Sequence, residues 1–454
     1  MRVARYSLPI AAALLLAAPR GSAQVVGAVA YDSFRLANGL QVLYAEQHTT
    51  PIVTVDLWYR VGARNERPKL SGFAHLFEHM MFQGSAHVGK AEHFKYVERA
   101  GGDENGSTHD DYTNYFENLP SNRLNLALWL EADRMRSLAV TQQNLENQRQ
   151  AVEEEKRLRV DNQPYAGAFR SSLIWPYDST GCFAYAHPGI GVMEDLDSAK
   201  LEDVKAFHDI YYAPNNTTLV VAGDFNPAEL KRLVTQYFSD IPSKPAPPPV
   251  NCAYKLSPGL AQRVVADSHA TLPAVIRVYR IPPAADGDTP ALDLLNSILG
   301  QGESSRLNVI VVRRDTAAFN ASSFSVNERR GPGSLLVLGI ANRGVTAARL
   351  DSLLSDQIEA IRSGGVTADE LTRAKNQYRA GVIQSRETTF GIAEGLNYYN
   401  LLFPSVSDMN TDPQRYMAVT AEDIKRVASK YLDPANATVV IVNPAAKAQT
   451  GGDQ

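Results

Sequence analysis

The chain has 454 residues, of which 44% are hydrophobic and 21% are charged, a composition that is ordinary for a folded globular protein. This length is too great for one hydrophobic core and predicts two or more domains. The formal net charge is -4 and the lysines and arginines form no cluster, so we do not expect a nucleic-acid partner.

Residues 1–23 have the features of a secretory signal peptide. Arg2 and Arg5 precede the apolar run 8–18, and small residues then lead to a cleavage pattern that ends at Ala23. The apolar run is too short to span a membrane, and no later stretch is long and apolar enough to do so. We therefore expect cleavage after Ala23 and a periplasmic or secreted product without a transmembrane segment.

Strands and helices are predicted along the rest of the chain from the spacing of apolar residues. Strands are predicted at 34–44, with a turn at Asn38-Gly39, and at 52–62, 105–116 and 218–223. Helices are predicted at 72–84, 93–99, 124–136, 144–160 and 201–212.

The helix predicted at 72–84 contains a His-x-x-Glu-His sequence among apolar residues. Positions three and four apart share one face of a helix, so His75, Glu78 and His79 point the same way. Two neutral imidazoles one turn apart can bind one zinc ion, and a carboxylate beside them can hold a water molecule near it. This residue order is the inverzincin signature. The alternative, a buried helix without metal, would place a glutamate between two histidines at a high free-energy cost.

A third zinc ligand is needed, because catalytic zinc sites usually have three protein ligands and a water. The polar helix predicted at 144–160 contains Glu153, Glu154 and Glu155. One carboxylate of this triplet would complete the set, and we expect the other two to lie on a solvated face.

Cys182 and Cys252 are the two cysteines of the chain. An oxidising compartment would allow them to pair, but the sequence alone does not place them near each other. A disulfide and two free buried thiols both remain open.

The proline-rich stretch 242–250 cannot continue a helix or a central strand and marks the predicted domain boundary. The sequence after it repeats the sequence before it, since Glu-Asp-Val-Lys at 202–205 recurs as Glu-Asp-Ile-Lys at 422–425, 220 residues later. The same offset relates Tyr211, Pro214, Asn216, Thr218 and Val220 to Tyr431, Pro434, Asn436, Thr438 and Val440. We therefore predict a duplicated domain, at 24–241 and 251–446, with a disordered tail at 447–454.

The same offset places leucines at the ligand positions of the second copy. His75 falls on Leu295 and His79 on Leu299. The second copy keeps an apolar helix there, so we expect the metal in the first copy alone.

The sequence resembles the pitrilysin family of zinc peptidases, near its shorter, processing-protease-like bacterial branch. The resemblance rests on 72–84, 105–116, 214–225 and 302–307 and covers nearly all of the chain after residue 23. It implies an α+β fold of two homologous domains, each an antiparallel-rich sheet with helices packed on it. The two domains would close like a clamshell around a chamber, with zinc on the wall of the first.

The family pattern gives each motif residue a role. It implies that His75 and His79 are the imidazole ligands of one zinc ion per chain and that Glu78 is the general base. The Arg-x-x-Val-x-x-Glu pattern at 149–155 makes Glu155 the third ligand, with Glu154 in reserve.

Two positions depart from the family pattern. Gln148 stands where many members carry a second glutamate, so it can orient a ligand through a hydrogen bond but brings no charge. Active single-chain members usually place an Arg and a Tyr in the second domain to stabilise the tetrahedral intermediate. Arg313 fits the first position, but Phe319 stands at the second and has no hydroxyl to donate.

The segment 105–116 resembles the family's substrate-aligning edge strand, with Asn105 and Tyr112 as the candidate substrate-binding residues. The resulting prediction is a zinc endopeptidase that hydrolyses peptides or unstructured polypeptides. Because of Phe319, we expect a homologous subunit, in a heterodimer or a homodimer, to supply the missing groups. The alternative is a non-catalytic scaffold or a peptide-binding member of the same family.

Overall fold

The structure is a computed structural model that describes residues 27–177, 180–253 and 259–445. The predicted signal peptide at 1–23 and the predicted tail at 447–454 lie outside these residues. Within the described ranges, no helix is both long and apolar enough to cross a membrane.

The first half of the chain is built on a six-stranded sheet. Its strands are β1 (Asp32–Arg35), β2 (Gln41–Glu46), β3 (Ile52–Tyr59), β4 (Asp103–Thr108), β5 (Thr113–Pro120) and β6 (Thr217–Gly223). Their order in space is β1-β2-β6-β3-β5-β4, with β2 and β6 parallel and every other neighbouring pair antiparallel. Strand β6 is buried along its whole length, which explains its continuous apolar run, whereas β4 lies at the sheet edge.

Eight helices accompany this sheet in the described part of the first half. They are α1 (Phe73–Met80), α2 (Glu92–Arg99), α3 (Leu124–Ser137), α4 (Gln142–Lys156), α5 (Ala166–Ile174), α6 (Met193–Ser198), α7 (Leu201–Tyr211) and α8 (Pro227–Phe238). One hydrophobic core joins a face of the sheet to every one of these helices except α5, for example through Phe77 on α1, Leu128 on α3, Phe207 on α7 and Leu230 on α8.

The second half repeats this plan on a five-stranded sheet. Its strands are β7 (Ala261–Asp267), β8 (Ala274–Ile281), β9 (Ala318–Val326), β10 (Gly333–Ala341) and β11 (Thr438–Pro444), in the order β7-β11-β8-β10-β9. Its helices are α9 (Thr289–Gly300), α10 (Ala347–Gly364), α11 (Ala368–Ser385), α12 (Thr389–Leu402), α13 (Asp408–Ala418) and α14 (Ala421–Tyr431).

The two halves correspond element by element. Helices α7 and α14 both span eleven residues and are 220 residues apart, and the strands that follow them, β6 and β11, each pair in parallel with one neighbour. The predicted α+β class with two homologous, antiparallel-rich units is therefore confirmed. The division at 242–250 stays a prediction, although this stretch contains no helix or strand.

Each half contributes one helix that packs on the sheet of the other half. Helix α12 of the second half packs on the free face of the first sheet, where Ile392 and Leu396 contact Leu43 and Val220. Helix α5 of the first half packs on the second sheet, where Ala168 lies in a core with Ile276, Val278 and Val440. Each sheet is thus covered on its second face by a helix of the other half.

The structure corrects two predicted elements and shows which of the two states of the cysteines is present. The single strand predicted at 105–116 is a hairpin, because a turn at 109–112 separates β4 from β5. The helix predicted at 144–160 stops being α-helical after Lys156 and continues as a π-helical turn, Arg157–Asp161. Cys182 and Cys252 form a disulfide, which ties the segment after the proline-rich stretch to the first half.

Candidate metal centre

Helix α1 begins after a tightly packed glycine with a left-handed backbone conformation. Gly72 has φ of 85°, and a Cβ at this position would lie 2.7 Å from Cα of Gly191, so a larger residue does not fit. The buried carboxylate of Glu66 then accepts hydrogen bonds from the backbone N–H groups of Gly72 (2.8 Å) and Ala74 (2.7 Å). A carboxylate at this end satisfies two free donors and complements the helix dipole, which fixes the start of the motif helix.

His187 holds Glu66 in turn. Its Nε2 lies 2.9 Å from a Glu66 carboxylate oxygen, and its Nδ1 lies 2.7 Å from the carbonyl oxygen of Phe183. Burial alone would lower the pKa of His187, but the hydrogen bond and charge of Glu66 raise it above its ordinary value. The pair anchors α1 from outside the motif.

The structure brings together the three predicted zinc ligands. Nε2 of His75 and Nε2 of His79 lie 3.6 Å and 3.2 Å from the same carboxylate oxygen of Glu155, and the three ligand atoms lie within 4.8 Å of one another. The histidines come from α1 and Glu155 from the last turn of α4, which packs against α1. Two imidazoles and one carboxylate are a ligand set that zinc prefers at catalytic sites, so these residues fit the ion.

The geometry distinguishes Glu155 from its two neighbours. Glu154 is exposed and pairs with Arg157 at 3.3 Å, and Glu153 contacts the same arginine at 3.5 Å. The second oxygen of Glu155 pairs with Arg159 at 2.7 Å. This ion pair orients the carboxylate while its other oxygen faces the histidines.

Glu78 lies on the same face of α1 and is held by the edge strand. The hydroxyl of Thr108, the last residue of β4, donates a 2.6 Å hydrogen bond to Oε2 of Glu78. Burial raises the pKa of Glu78, and the Thr108 hydrogen bond opposes that shift. The edge strand therefore positions the carboxylate that the sequence pattern names as the base.

His75 is in the protonation state that a metal ligand needs. Burial, followed by the neighbouring His79, lowers the pKa of His75 to about 4, so the ring is neutral at pH 7. Its Nδ1 is buried without a hydrogen-bond partner in the described residues.

The other predicted site residues lie outside this cluster. Asn105 is exposed on β4, and its side chain bonds locally to the N–H of Gly106. Tyr112 is buried and stacks on Trp58, with ring centroids 3.6 Å apart, at the border of a cavity of about 900 Å³ between the two halves. Gln148 is buried, and its amide donates to Asn147 at 2.8 Å.

The two second-half positions lie on the surface. Arg313 pairs with Glu303 at 2.5 Å, and Phe319 is 72% exposed on the edge strand β9.

Sequence reasoning missed three residues that support the site. Thr108, Glu66 and His187 act on α1 from β4, from the segment before the helix and from a distant loop. Their residue types have no periodicity or motif of their own, so the contacts could be found only from the fold.

Comparisons with known proteins show the family of the chain. A family model described as "Insulinase (Peptidase family M16)" matches residues 41–173, and one described as "Peptidase M16 inactive domain" matches 198–378. Zinc protease PqqE of Helicobacter pylori is 31% identical over 423 residues, which cover 91% of this chain and 93% of that protein. The chain belongs to peptidase family M16. This is the pitrilysin family, so the resemblance drawn from the motifs is confirmed.

Other M16 relatives extend the likeness. A Mycobacterium leprae protein named an uncharacterized zinc protease is 25% identical, with 88% of each chain covered. The crystal structure of a Helicobacter pylori protease matches with a TM-score of 0.87 and 29% identity, over 92% of this chain and 100% of that one. The periplasmic protease PqqL of Escherichia coli matches with a TM-score of 0.73 over 91% of this chain and 47% of that one; at 18% identity this shows the fold alone.

Proposed function

We propose that the chain is a zinc-dependent endopeptidase that hydrolyses peptides or unstructured polypeptides. The observation that carries this proposal is the convergence of His75, His79 and Glu155 from two helices, with Glu78 on the same face. The names of the relatives, which are zinc proteases, support zinc as the ion. One ion per chain would be held by these three residues.

The bound ion, Glu78 and Thr108 would each have a separate role in peptide hydrolysis. A zinc ion bound there supplies a Lewis acid that polarises a carbonyl group and acidifies water. Glu78 accepts the proton of the attacking water and returns it to the leaving amine nitrogen. Thr108 holds the Glu78 carboxylate in place through its hydroxyl, and the raised pKa of Glu78 makes it a stronger base toward the attacking water.

The edge strand β4 is the proposed substrate platform. Its outer edge has no neighbouring strand among the residues that the structure describes, so an extended peptide can add to it through main-chain hydrogen bonds. Asn105 is exposed along this edge, and Thr108 at the strand end contacts the base, so a peptide on β4 would lie next to Glu78. We place the scissile bond there, inside a chamber closed by the second half.

We propose that a homologous subunit, in a heterodimer or a homodimer, completes the site. Arg313 is engaged with Glu303 at the surface, and Phe319 offers no hydroxyl to a tetrahedral intermediate. Losing one such donor costs roughly 3–4 kcal/mol in the transition state. Full activity of the purified chain by itself would contradict this part of the proposal. We further propose that the product is exported, because the sequence of 1–23 fits a cleavable signal.

The test compares wild type with Glu78→Gln, both with and without a zinc chelator, on unstructured fluorogenic peptides. The variant should keep its zinc, measured by elemental analysis, and lose turnover by roughly 10²–10⁴-fold. Turnover retained in Glu78→Gln would contradict the assignment of the base. Zinc binding without any chelator-sensitive cleavage, in the presence of candidate partner subunits, would favour a scaffold or a peptide-binding member instead.

A further inference from the structure

We propose that His93, Glu104 and Glu117 form a second divalent-metal site, separate from the His75 cluster. His93 comes from α2, Glu104 from β4 and Glu117 from β5. Each offers one ligand atom, and these atoms lie within 4.8 Å of one another. The proposal does not depend on whether the chain is a peptidase.

The three side chains are almost fully buried and lack hydrogen bonds. Their exposed fractions are 5% for His93, 2% for Glu104 and 0% for Glu117. Both ring nitrogens of His93 and all four carboxylate oxygens are buried without a hydrogen-bond partner in the described residues. Buried polar atoms in this state are rare, and a bound ion is one of the few arrangements that satisfies them together.

The strand register forces the two carboxylates together. Glu104 and Glu117 are directly opposite each other in the antiparallel β4–β5 pair, on its buried face. Like charges at opposite positions destabilise a sheet, and burial makes their repulsion stronger. His93 lies over this pair, with Nδ1 in close contact with a Glu104 oxygen and Nε2 3.7 Å from a Glu117 oxygen.

The nearby Arg134 forms ion pairs with both Glu117 and Glu131, so it offsets only one charge of the three carboxylates Glu104, Glu117 and Glu131. Arg134 on α3 bonds to both carboxylate oxygens of Glu131 and packs over the rings of Phe82 and Tyr115. It approaches Glu117 only at 3.6 Å and makes no hydrogen bond to it.

The net charge of the cluster is opposite and equal to that of a divalent cation. Arg134 offsets one of the three carboxylates Glu104, Glu117 and Glu131, and a neutral His93 adds no charge, so two negative charges remain. A divalent cation balances both. One imidazole nitrogen and two carboxylates suit zinc or another first-row divalent metal. The ion would join α2 to the β4–β5 hairpin, whose end holds Glu78, and so would stiffen the edge strand from its buried side.

The decisive experiment uses the full chain with His75→Ala and His79→Ala, which empties the first site without touching the second. After loading with Zn²⁺ and removal of free ion, this double variant should retain one zinc per chain. X-ray absorption of that zinc should show one imidazole among its ligands. A double variant that retains no zinc overturns the proposal, and means that a proton neutralises one of the two carboxyls.

Two further variants test the assignment of the ligands. Adding Glu104→Gln to the double variant should remove the remaining zinc, whereas adding Glu98→Gln, an exposed carboxyl change on α2, should leave it. Zinc that persists after Glu104→Gln would overturn the site at these residues. Because the X-ray absorption is measured with the second site unaltered, the result stands even if the Glu104 variant fails to fold.

Discussion

The two halves of the chain share a topology but differ in what one helix face does. In the first half, His75 and His79 on α1 are partly open, with side chains 15% and 24% exposed, and face Glu155. At the equivalent positions of α9, Leu295 and Leu299 are fully buried in the second core. The equivalent helices α1 and α9 thus carry a candidate metal site in one half and part of the hydrophobic core in the other.

The starts of these helices differ in a related way. Helix α1 is held by a buried carboxylate, Glu66, which bonds to main-chain N–H groups. Helix α9 is preceded by Asp288, which instead pairs near the surface with Arg426 and Lys430 of α14. The first arrangement fixes a helix whose side chains must be placed accurately, while the second ties two packed helices together.

The largest expected effect is the loss of the third ligand. Glu155→Gln should abolish stable zinc retention and lower peptide turnover by more than about 10²-fold, since loss of even an outer residue around a metal costs 10- to 100-fold. Glu154→Gln is the matched control and should behave like wild type, because Glu154 is exposed. Elemental analysis and turnover measure both; equal loss in the two variants would contradict the choice of Glu155.

Exchanging residues between the equivalent positions of α1 and α9 should affect stability much more in the second half than in the first. Leu295→His places an imidazole in a fully buried position without a partner and should lower the free energy of unfolding by roughly 3 kcal/mol or more. His75→Leu should change the stability of the metal-free protein by less than about 1 kcal/mol, while zinc is lost. Denaturant unfolding of both metal-free variants is the measurement, and equal stabilities would show that α1 and α9 are not distinguished by burial.

Removing the anchor of α1 should cost less. Glu66→Gln presents an amide donor toward groups that already donate, so we expect a loss of about 1–3 kcal/mol in the free energy of unfolding. The control is Glu98→Gln, which changes an exposed carboxyl. If Glu66→Gln unfolds at the same denaturant concentration as this control, Glu66 does not anchor the helix.

The Thr108 hydroxyl should affect catalysis without affecting binding. Thr108→Val removes the 2.6 Å hydrogen bond to Glu78 and should lower kcat about tenfold with little change in KM. Thr108→Ser keeps the hydroxyl and should retain most of the rate. Steady-state kinetics on one peptide substrate distinguishes the two variants. Equal rates for Thr108→Val and Thr108→Ser would contradict a role of the Thr108 hydroxyl in catalysis.

The smallest expected effect lies in the second half and depends on pH. Burial alone would raise the pKa of Asp288, but hydrogen bonds from Lys430, Arg426 and Tyr431 lower it to about 2. A lowered folded-state pKa stabilises the protein above the ordinary value of about 4 and loses that contribution as pH falls toward 2. Asp288→Asn should therefore be less stable than wild type by up to about 1 kcal/mol at pH 7, as expected for an ion pair near the surface. The difference should narrow below about pH 4, and thermal unfolding across this range would show it.

The sequence predicted the motif helix and the duplication well, because each depends on spacing along the chain. The choice of Glu155 among three adjacent glutamates needed the family pattern, since residues of one type in a row carry no spacing signal. Tyr112 was predicted to contact substrate, and this stays a prediction, since the residue stacks on Trp58 while also lining the cavity between the halves. An aromatic residue in a turn has the same sequence signal whether it faces substrate or a neighbouring ring.

The packing partners could not be read from the sequence. Helix α12 has the apolar residues of a core helix, and nothing in its periodicity tells which sheet it will cover. The Cys182–Cys252 pair was equally open, because seventy residues of sequence separation say nothing about distance in the fold. These features depend on the tertiary arrangement of both halves.

The exchange of α5 and α12 has a consequence for the order in which the protein can fold during synthesis. The first sheet is complete at residue 223, but the helix that covers its second face ends at Leu402. Until that helix emerges, Leu43 and Val220 remain on an uncovered apolar face, a state prone to aggregation. Chains truncated before α12 should therefore be captured by chaperones or precipitate, and the two halves should reach their native state together.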